Sequence, residues 1–496
     1  MWHLSIRAMP LILSTACFVI VVFLASIREY TSFGALSIAA MLYLLGASLV
    51  FLTGKIVTVF SGLATLLIVL HIADQIKFSL LRYHIQLQDI QTLSDQIFSG
   101  DFSIISQYPV LALGAVLALV ALFAQVVSTL RIDQKLAGAG LGFKRNIPAA
   151  LVFFGGIISI SIILDASPYV KTIKDLHLNR LMGDQRPGRL SVALVSTWES
   201  LRLRNLLVHE YSEPQYAPDS RSVSCTDICP DIYIVHMESV FDPIIATGYE
   251  EHPSVGELIL EGQDGAHGLM EVSVWGGFSW VTEFEMVCGL NHALFGWAGR
   301  YSHYNVAPYM KGCLGKAIEP LGYDGQVYYT TRRSFLAVEK AFSNYGFGTF
   351  YDRDDLELPR AGRLITDEMM FQNLFDNLDY SGDRRQLIWL STNWNHGPHG
   401  KRHAKPDKIG PYDPNSAPDP AFADYVNRLN YTIDLARELK RRIALRDRPT
   451  VVLMYGDHHP HFDKEYQQPY RDKGDYLTPY VMFRNFDGPT FSLPDV

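Results

Sequence analysis

Long apolar stretches crowd the first third of the chain, and short ones punctuate the rest. Five runs, at about 8–27, 33–54, 56–73, 109–129 and 147–164, are apolar and almost free of charge. A helix needs about 20 such residues to cross hydrocarbon. Each run therefore predicts a transmembrane helix, with the third and fifth near the lower limit of length. A single run of this kind also fits a buried core helix; five in succession argue against that. The first run also admits a cleaved signal peptide. Its apolar stretch is longer than a typical h-region and more spans follow, which favours a retained helix.

From residue 230 the pattern changes. Short strand-like runs, "DIYIVHM" (231–237), "GQVYYT" (325–330), "QLIWLST" (386–392), "TVVLMY" (450–455) and "PYVMFRN" (479–485), alternate with helical patterns at 281–290, 309–320, 366–377 and 420–445. This alternation predicts an α/β domain with a mostly parallel central sheet. Residues 167–229 read as a juxtamembrane connector: two charged, helically spaced stretches and the turn-rich "SEPQYAPDSRS". The expected organisation is a five-helix transmembrane region over 1–166, the connector, and the α/β domain over 230–496.

Composition adds the topology. The 496 residues carry a net charge of −8 and no long basic tract, so nucleic-acid binding has no support. Lys and Arg in short loops mark the cytoplasmic side. The 130–146 loop holds Arg131, Lys135, Lys144 and Arg145 against Asp133; Arg7 lies at the start and Lys55 between the second and third runs. Five crossings then place everything after Ala166 outside. Four of five cysteines, Cys225, Cys229, Cys288 and Cys313, fall in that outer part, and an even count there allows two disulfides. "CTDIC" (225–229) closes a small loop if bridged; it also has the form of a metal-binding pair, though no second pair with zinc spacing follows. The spans carry almost no ionisable residues beyond His71 and Asp74, which disfavours a transporter.

In open α/β sheets the ligand site lies beyond the carboxyl ends of the strands. Glu238 follows the first strand; Asn393, Asn395, His396 and His399 of "NWNHGPHG" follow "QLIWLST"; Asp457, His458, His459 and His461 follow "TVVLMYG". Each residue alone has an ordinary alternative as a loop or surface group. Together they form an oxygen-and-nitrogen set suited to Mn²⁺, Zn²⁺ or Mg²⁺. A nucleophile is available in "SVWGGFSWVTEFEMVCGL" (273–290): Gly276-Gly277 permits a tight turn and Ser279 opens a helix, where its hydroxyl feels the N-terminal dipole. Ser279 as a simple N-cap is the competing reading, and Thr282 the competing nucleophile.

These residues resemble the membrane-bound alkaline-phosphatase/sulfatase-like superfamily: lipoteichoic acid synthases, periplasmic-glucan phosphoglycerol transferases and phosphoethanolamine transferases. "VHMES" matches the Glu after the first strand, Ser279 stands ten residues before Gly289 as the nucleophile does, Asp457-His458 matches "GDH", and "NHGP" resembles "SHGP". "NYGFGTFYD" (344–352) resembles a segment of the synthases. Where those hold glycerol phosphate with an aromatic residue and an Arg, this chain has Leu336 and Val338; Arg332 and Arg333 lie just upstream as substitutes. The x-P-x-R sequence of formylglycine sulfatases does not follow Ser279.

The resemblance implies a sulfatase-like fold and one divalent cation, Mn²⁺ before Zn²⁺ or Mg²⁺, on Glu238, Ser279, Asp457 and His458. It implies Ser279 as nucleophile and His396 as acid/base or phosphoryl-oxygen ligand. A membrane phospholipid would donate a phosphoglycerol or phosphoethanolamine headgroup to a glycan or lipid acceptor at the outer face of a bacterial inner membrane. Trp394, Asn395, His399 and His459 complete the expected substrate surroundings, with Trp275 and Trp280 as candidate sugar contacts. A phosphodiesterase or phosphatase of the same superfamily using water, and a non-catalytic membrane assembly or sensor protein, are the alternatives.

Overall fold

The structure is a computed structural model. It describes residues 2–26, 32–81, 85–86, 88–89, 92, 94, 109–138, 144–165, 228–246, 253–358, 365–378, 383–397, 399, 420–460, 462 and 476–488. Cys225, His461 and nearly all of the expected connector lie outside these residues. The chain divides into two compact units, Met1–Ile90 with Ile104–Glu199, and Gln91–Ser103 with Ser200–Val496.

In the first unit all five apolar runs are helical: α1 (Trp2–Ser26), α2 (Ser32–Thr53), α3 (Ile56–Leu81), α4 (Pro109–Gly138) and α5 (Ile147–Asp165). Among the described residues, Met9–Ser26, Ala35–Thr53 and Ile56–Lys77 are long and apolar enough to cross a membrane, and Ile147–Ile160 is a shorter apolar helix. Large apolar side chains such as Ile12, Phe23, Leu36, Phe123 and Val152 point outward, as lipid-facing residues do. Helix α4 continues past its apolar run, so Arg131, Asp133 and Lys135 are helical rather than loop residues. Asp133 explains the extension. Its carboxylate is buried and accepts from the backbone N–H of Val57 (3.1 Å) and Thr58 (2.8 Å) and from the Thr58 hydroxyl (2.6 Å). It caps the otherwise unpaired donors that open α3. Lower on the same helix pair, Thr65 donates to Gln125 Oε1 at 2.8 Å and Gln125 Nε2 to the Ser61 carbonyl at 3.2 Å.

The second unit is built on a seven-stranded sheet: β1 (Asp231–Met237), β2 (Ala266–Glu271), β3 (Tyr323–Tyr328), β4 (Thr349–Tyr351), β5 (Arg385–Ser391), β6 (Thr450–Gly456) and β7 (Leu477–Arg484), in the order β2-β7-β6-β1-β5-β3-β4. The five strands from β6 to β4 run parallel; β7 and β2 join antiparallel at one edge. The sheet is thus mixed: parallel through its centre, in line with the mostly parallel expectation, with antiparallel pairing at one edge.

Helices cover both faces, which is why β1 is apolar on alternate positions of each side. Tyr233, Val235 and Met237 face α6 (Val255–Leu260), α9 (Asp367–Leu378) and α10 (Pro420–Ala444). Along α10, Phe422, Tyr425, Val426, Leu429, Ile433, Ala436 and Leu439 recur every three or four residues and form its buried stripe. Ile234 faces the other way, with Trp389 and Tyr455, toward α7 (Ser279–Cys288) and α8 (Val338–Tyr345). Of the expected helix at 309–320, only Leu314–Ile318 is α-helical, and a 3₁₀ turn over Glu319–Leu321 follows it. A disulfide joins Cys288, at the end of α7, to Cys313; Cys229 is also disulfide-bonded.

Candidate active site

Strands β5, β1 and β6 are neighbours, so their carboxyl ends converge. The β1–β6 register pairs Met237 with Gly456, which puts Glu238 and Asp457 level with each other one step beyond the sheet. Glu238 is fixed by its backbone N–H, which donates to Thr392 Oγ1 (3.1 Å), and by Ser239, whose hydroxyl donates to Glu238 Oε1 (2.8 Å). Ser239 holds a left-handed φ of 56°, a strained conformation for a residue other than glycine. Its N–H donates to Asp457 Oδ1 at 2.7 Å, and the His458 N–H donates to the same oxygen at 2.8 Å.

The nucleophile candidate arrives by a sharp turn. Gly276, Gly277 and Phe278 have φ of 68°, 149° and 71°, and α7 starts at Ser279. The Gly276 N–H donates to the His459 carbonyl (3.0 Å), and the Thr282 hydroxyl to the Asp457 carbonyl (2.9 Å). These two bonds clamp the turn to the loop after β6. Ser279 Oγ donates to Glu238 Oε2 at 3.0 Å and lies 3.3 Å from His458 Nε2. His458 Nδ1 is 2.8 Å from the His459 carbonyl, which only accepts; Nδ1 therefore carries the proton and Nε2 presents its lone pair to the cluster. Asp457 Oδ2 is 3.3 Å from His458 Nε2 and has no hydrogen-bond partner.

This cluster fits a divalent cation. Two carboxylates, a hydroxyl and an imidazole lone pair converge, and the imidazole's other nitrogen donates to a carbonyl, as metal-ligating histidines do. Asp457 Oδ2 and His458 Nε2 are both acceptors at 3.3 Å, an arrangement that a shared cation resolves. His236, Glu238 and Asp457 also offer ligand atoms within 4.8 Å of one another.

Sequence reasoning did not single out His236, Ser239 or Glu283 for this site. His236 lies inside β1 and is 1% exposed, with Nδ1 at 2.8 Å from the Tyr455 hydroxyl and Nε2 at 3.3 Å from Asp457 Oδ2. Glu283, four residues after Ser279 on α7, is fully buried; Tyr329 donates to its Oε1 at 2.7 Å, and His303 Nε2 lies 3.4 Å from its Oε2. Burial pushes the Glu283 carboxyl up to about 7. Burial also opposes ionisation of Asp457, but the imidazoles of His458 and His236 outweigh it and hold its carboxyl below the ordinary range. The one sequence signal available for Glu283 was its spacing, a turn after the serine on the helix's inward face.

The remaining expected residues take other positions. His396 is exposed; its Nδ1 donates to the Gly397 carbonyl at 2.6 Å, leaving Nε2 as a basic nitrogen. Its loop is moulded from beneath: buried Asp367 accepts from the N–H of Asn393 and Trp394, and Arg428, ion-paired to Asp424 at 2.6 Å, donates to the carbonyls of Trp394 and His396. Asn395 is buried, with Nδ2 donating to Thr432; His399 Nε2 meets the Asn395 carbonyl and its ring packs on Tyr425 and Phe462. Burial pulls His459 down to about 3, and its Nε2 donates to the Leu477 carbonyl. Arg332 and Arg333 line an open depression of about 430 Å³ with Ser334, Asp352, Asp354 and Asp355. Arg333 pairs with Asp352 (3.1 Å), Glu339 (2.8 Å) and Asp355 (2.5 Å), and Arg332 with Asp354 (3.2 Å). The depression is therefore already neutralised by carboxylates. Trp280 Nε1 donates to the Arg300 carbonyl, and the ring packs beside Phe278 and Tyr301.

Fold and cluster together define an alkaline-phosphatase/sulfatase-like α/β domain carried on a chain with N-terminal apolar helices. Residues 230–490 match the Sulfatase family, and the chain belongs to it. Among its relatives is an uncharacterised protein of Haemophilus influenzae, 21% identical over 70% of this chain and 65% of that one. A second, from Rhizobium meliloti and provisionally named for cyclic β-1,2-glucan modification, is 25% identical over 52% of this chain and 42% of its own length. The chain thus spans less than two thirds of both relatives. The integral membrane lipooligosaccharide phosphoethanolamine transferase A of Neisseria meningitidis has a similar fold over 95% of this chain and 88% of its own, with a TM-score of 0.51 and 15% identity.

Proposed function

We propose that this chain transfers a phospho-headgroup, phosphoglycerol or phosphoethanolamine, from a membrane phospholipid to a hydroxyl of a cell-envelope glycan or lipid. One observation carries the reading: the Ser279 hydroxyl, at the first position of α7, sits between Glu238 Oε2 at 3.0 Å and His458 Nε2 at 3.3 Å. Glu238, Ser279, Asp457 and His458 would hold one divalent cation, with Mn²⁺ favoured. Bound there, it supplies positive charge for the phosphoryl oxygens and favours the serine alkoxide.

In the first step Ser279 Oγ forms a bond to phosphorus while the phosphorus–oxygen bond to diacylglycerol breaks, and diacylglycerol leaves with a proton. In the second, the acceptor hydroxyl forms its bond to phosphorus, loses its proton, and frees Ser279. His396, whose Nδ1 donates to the Gly397 carbonyl, would move a proton for the acceptor through Nε2. Most of the catalytic effect in such chemistry is positioning and electrostatics, and the clamps on the Ser279 turn supply the positioning. Helices α1–α5 are read as five crossings of a bacterial inner membrane, with 167–229 as connector and 230–496 as the outer catalytic domain. Tethering keeps that domain at its lipid donor and raises the donor's effective concentration. The Rhizobium relative's name supports a glycan acceptor and the Neisseria structure's name a phosphoethanolamine donor.

Ser279→Ala is the direct test. Wild-type protein incubated with labelled phospholipid should gain a headgroup adduct by intact mass, and the variant should gain none and lose transfer by at least about 10³-fold, as expected for removal of a nucleophile. An adduct that persists in the variant refutes the assignment. Release of label with no acceptor dependence would identify water as the acceptor.

A further inference from the structure

The two oxygens of Asp457 do different work. Oδ1 is committed to two backbone N–H groups, from Ser239 and His458. Oδ2 is the oxygen left for a cation. It is buried, lies 3.3 Å from His236 Nε2, and neither of these two atoms has a hydrogen-bond partner. A buried polar atom needs one. A carboxylate only accepts, so the nitrogen facing it carries the proton. His236 Nδ1 is then the acceptor for the Tyr455 hydroxyl at 2.8 Å. Glu283 Oε1 lies 3.9 Å from the same Nε2, and its own position is set by Tyr329. The imidazole is also wedged between Tyr455 and Trp389, with ring centroids at 5.3 and 5.7 Å.

We propose that His236 is a positioning residue for the candidate metal site: through Nε2–H it fixes which lone pair of Asp457 Oδ2 is turned toward the cation. Tyr455 holds the imidazole from behind, at Nδ1. The unit runs from the Tyr455 hydroxyl through His236 to Asp457, inside the sheet. It explains why β1 carries a buried histidine two positions before Glu238. Carboxylates that bind metals are commonly oriented by such outer partners, and removing one costs about 10–100-fold in metal affinity. His236 thus acts through Asp457 rather than on the cation. This inference rests on the metal reading of the cluster.

The experiment is Mn²⁺ titration of the full-length chain in detergent, by calorimetry, with pulsed electron paramagnetic resonance of the loaded protein. His236→Phe, which keeps a ring against Trp389 and Tyr455, should weaken Mn²⁺ binding about 10–100-fold. His236→Gln, whose amide reaches the Nε2 position, should recover most of that loss. The imidazole-nitrogen coupling of bound Mn²⁺, assigned to His458, should be the same in wild type and His236→Phe. Tyr455→Phe, a milder change that leaves the core volume intact, should weaken binding in the same direction by a smaller factor. Wild-type affinity in both Phe variants overturns the proposal. Loss of a nitrogen coupling in His236→Phe also overturns it, by making His236 a ligand. Failure of the wild type to bind Mn²⁺, Zn²⁺ or Mg²⁺ sinks the metal reading itself and this inference with it.

Discussion

A Cβ at position 456 would lie 1.8 Å from the Val240 carbonyl oxygen. Gly456 is therefore the last residue of β6 for a steric reason: only a glycine lets the chain after Glu238 pass close enough for Ser239 N–H to reach Asp457. Gly456→Ala must push the two strand ends apart. Overpacking of this kind costs about 1–3 kcal/mol, and here it also moves Asp457 away from Glu238. The expected result is a folded protein with a lower thermal midpoint and a disproportionate loss of transfer; a variant with full activity would show that the Glu238–Asp457 spacing is not critical. The same contacts explain what could be read at this scale. Glu238, Asp457 and His458 stand out because polar residues directly after apolar strands are conspicuous, and Ser279 because two glycines precede it. His236 and Glu283 do not, since a histidine within a strand and a glutamate within a helix look ordinary until the tertiary fold buries them together. His459, in the same histidine-rich string as His458, is buried, with its imidazole donating to the Leu477 carbonyl and stacking on Phe241.

Elements show the same division. Strands β1, β5, β6 and β7 and helices α9 and α10 follow the apolar periodicity within about two residues. Strands β2 and β4 escape it. "AHGLME" of β2 is half-exposed and polar at the sheet edge, and β4 has three residues; neither gives a period-two signal long enough to see. The antiparallel edge was hidden too: β7 is legible as a strand, but apolar periodicity carries no direction, and β7 pairs antiparallel with both β6 and β2. In the first unit the helices were legible but their ends were not. Charged residues after an apolar run suggest a loop, whereas Asp133 is a capping group reaching from α4 to the start of α3. Asp133→Ala leaves three donors of α3 without their acceptor. Loss of a side-chain cap costs about 0.5–2 kcal/mol, and donors left buried raise it. The variant should lose thermal stability in detergent while keeping Mn²⁺ affinity in the catalytic unit. Unchanged stability would mean that water or another group replaces the carboxylate.

Across the whole molecule, the sulfatase-like unit keeps several ionisable groups inside, among them His236, Glu283, His303, Asp367, Asp457 and His459. Each shifts the balance between protonation in the folded and unfolded chain, and the shifts have opposite signs. Burial pushes Glu283 up to about 7, so the folded state holds a proton that the unfolded chain releases above about 4.5, which favours the fold as pH falls through that window. Burial pulls His303 down to about 3 from an ordinary 6.5, so between those values the unfolded chain binds a proton that the folded one refuses. Its contribution is therefore present above about pH 6.5 and is lost progressively as pH falls toward 3. Because these terms overlap, stability measured on one protein does not separate them; a difference between two proteins does. His303→Gln removes one titrating group and keeps a polar side chain. Glutamine in that pocket lowers stability at neutral pH, but the slope carries the information. The stability gap between wild type and variant should shrink by about 1.4 kcal/mol per pH unit as pH falls from 6 to 4. Chemical denaturation of both proteins across that range reads it directly. A gap that stays constant would mean that His303 is protonated in the folded protein, paired with Glu283 Oε2 at 3.4 Å as an ion pair. The interior behind Ser279 would then hold a charge pair rather than a neutral imidazole.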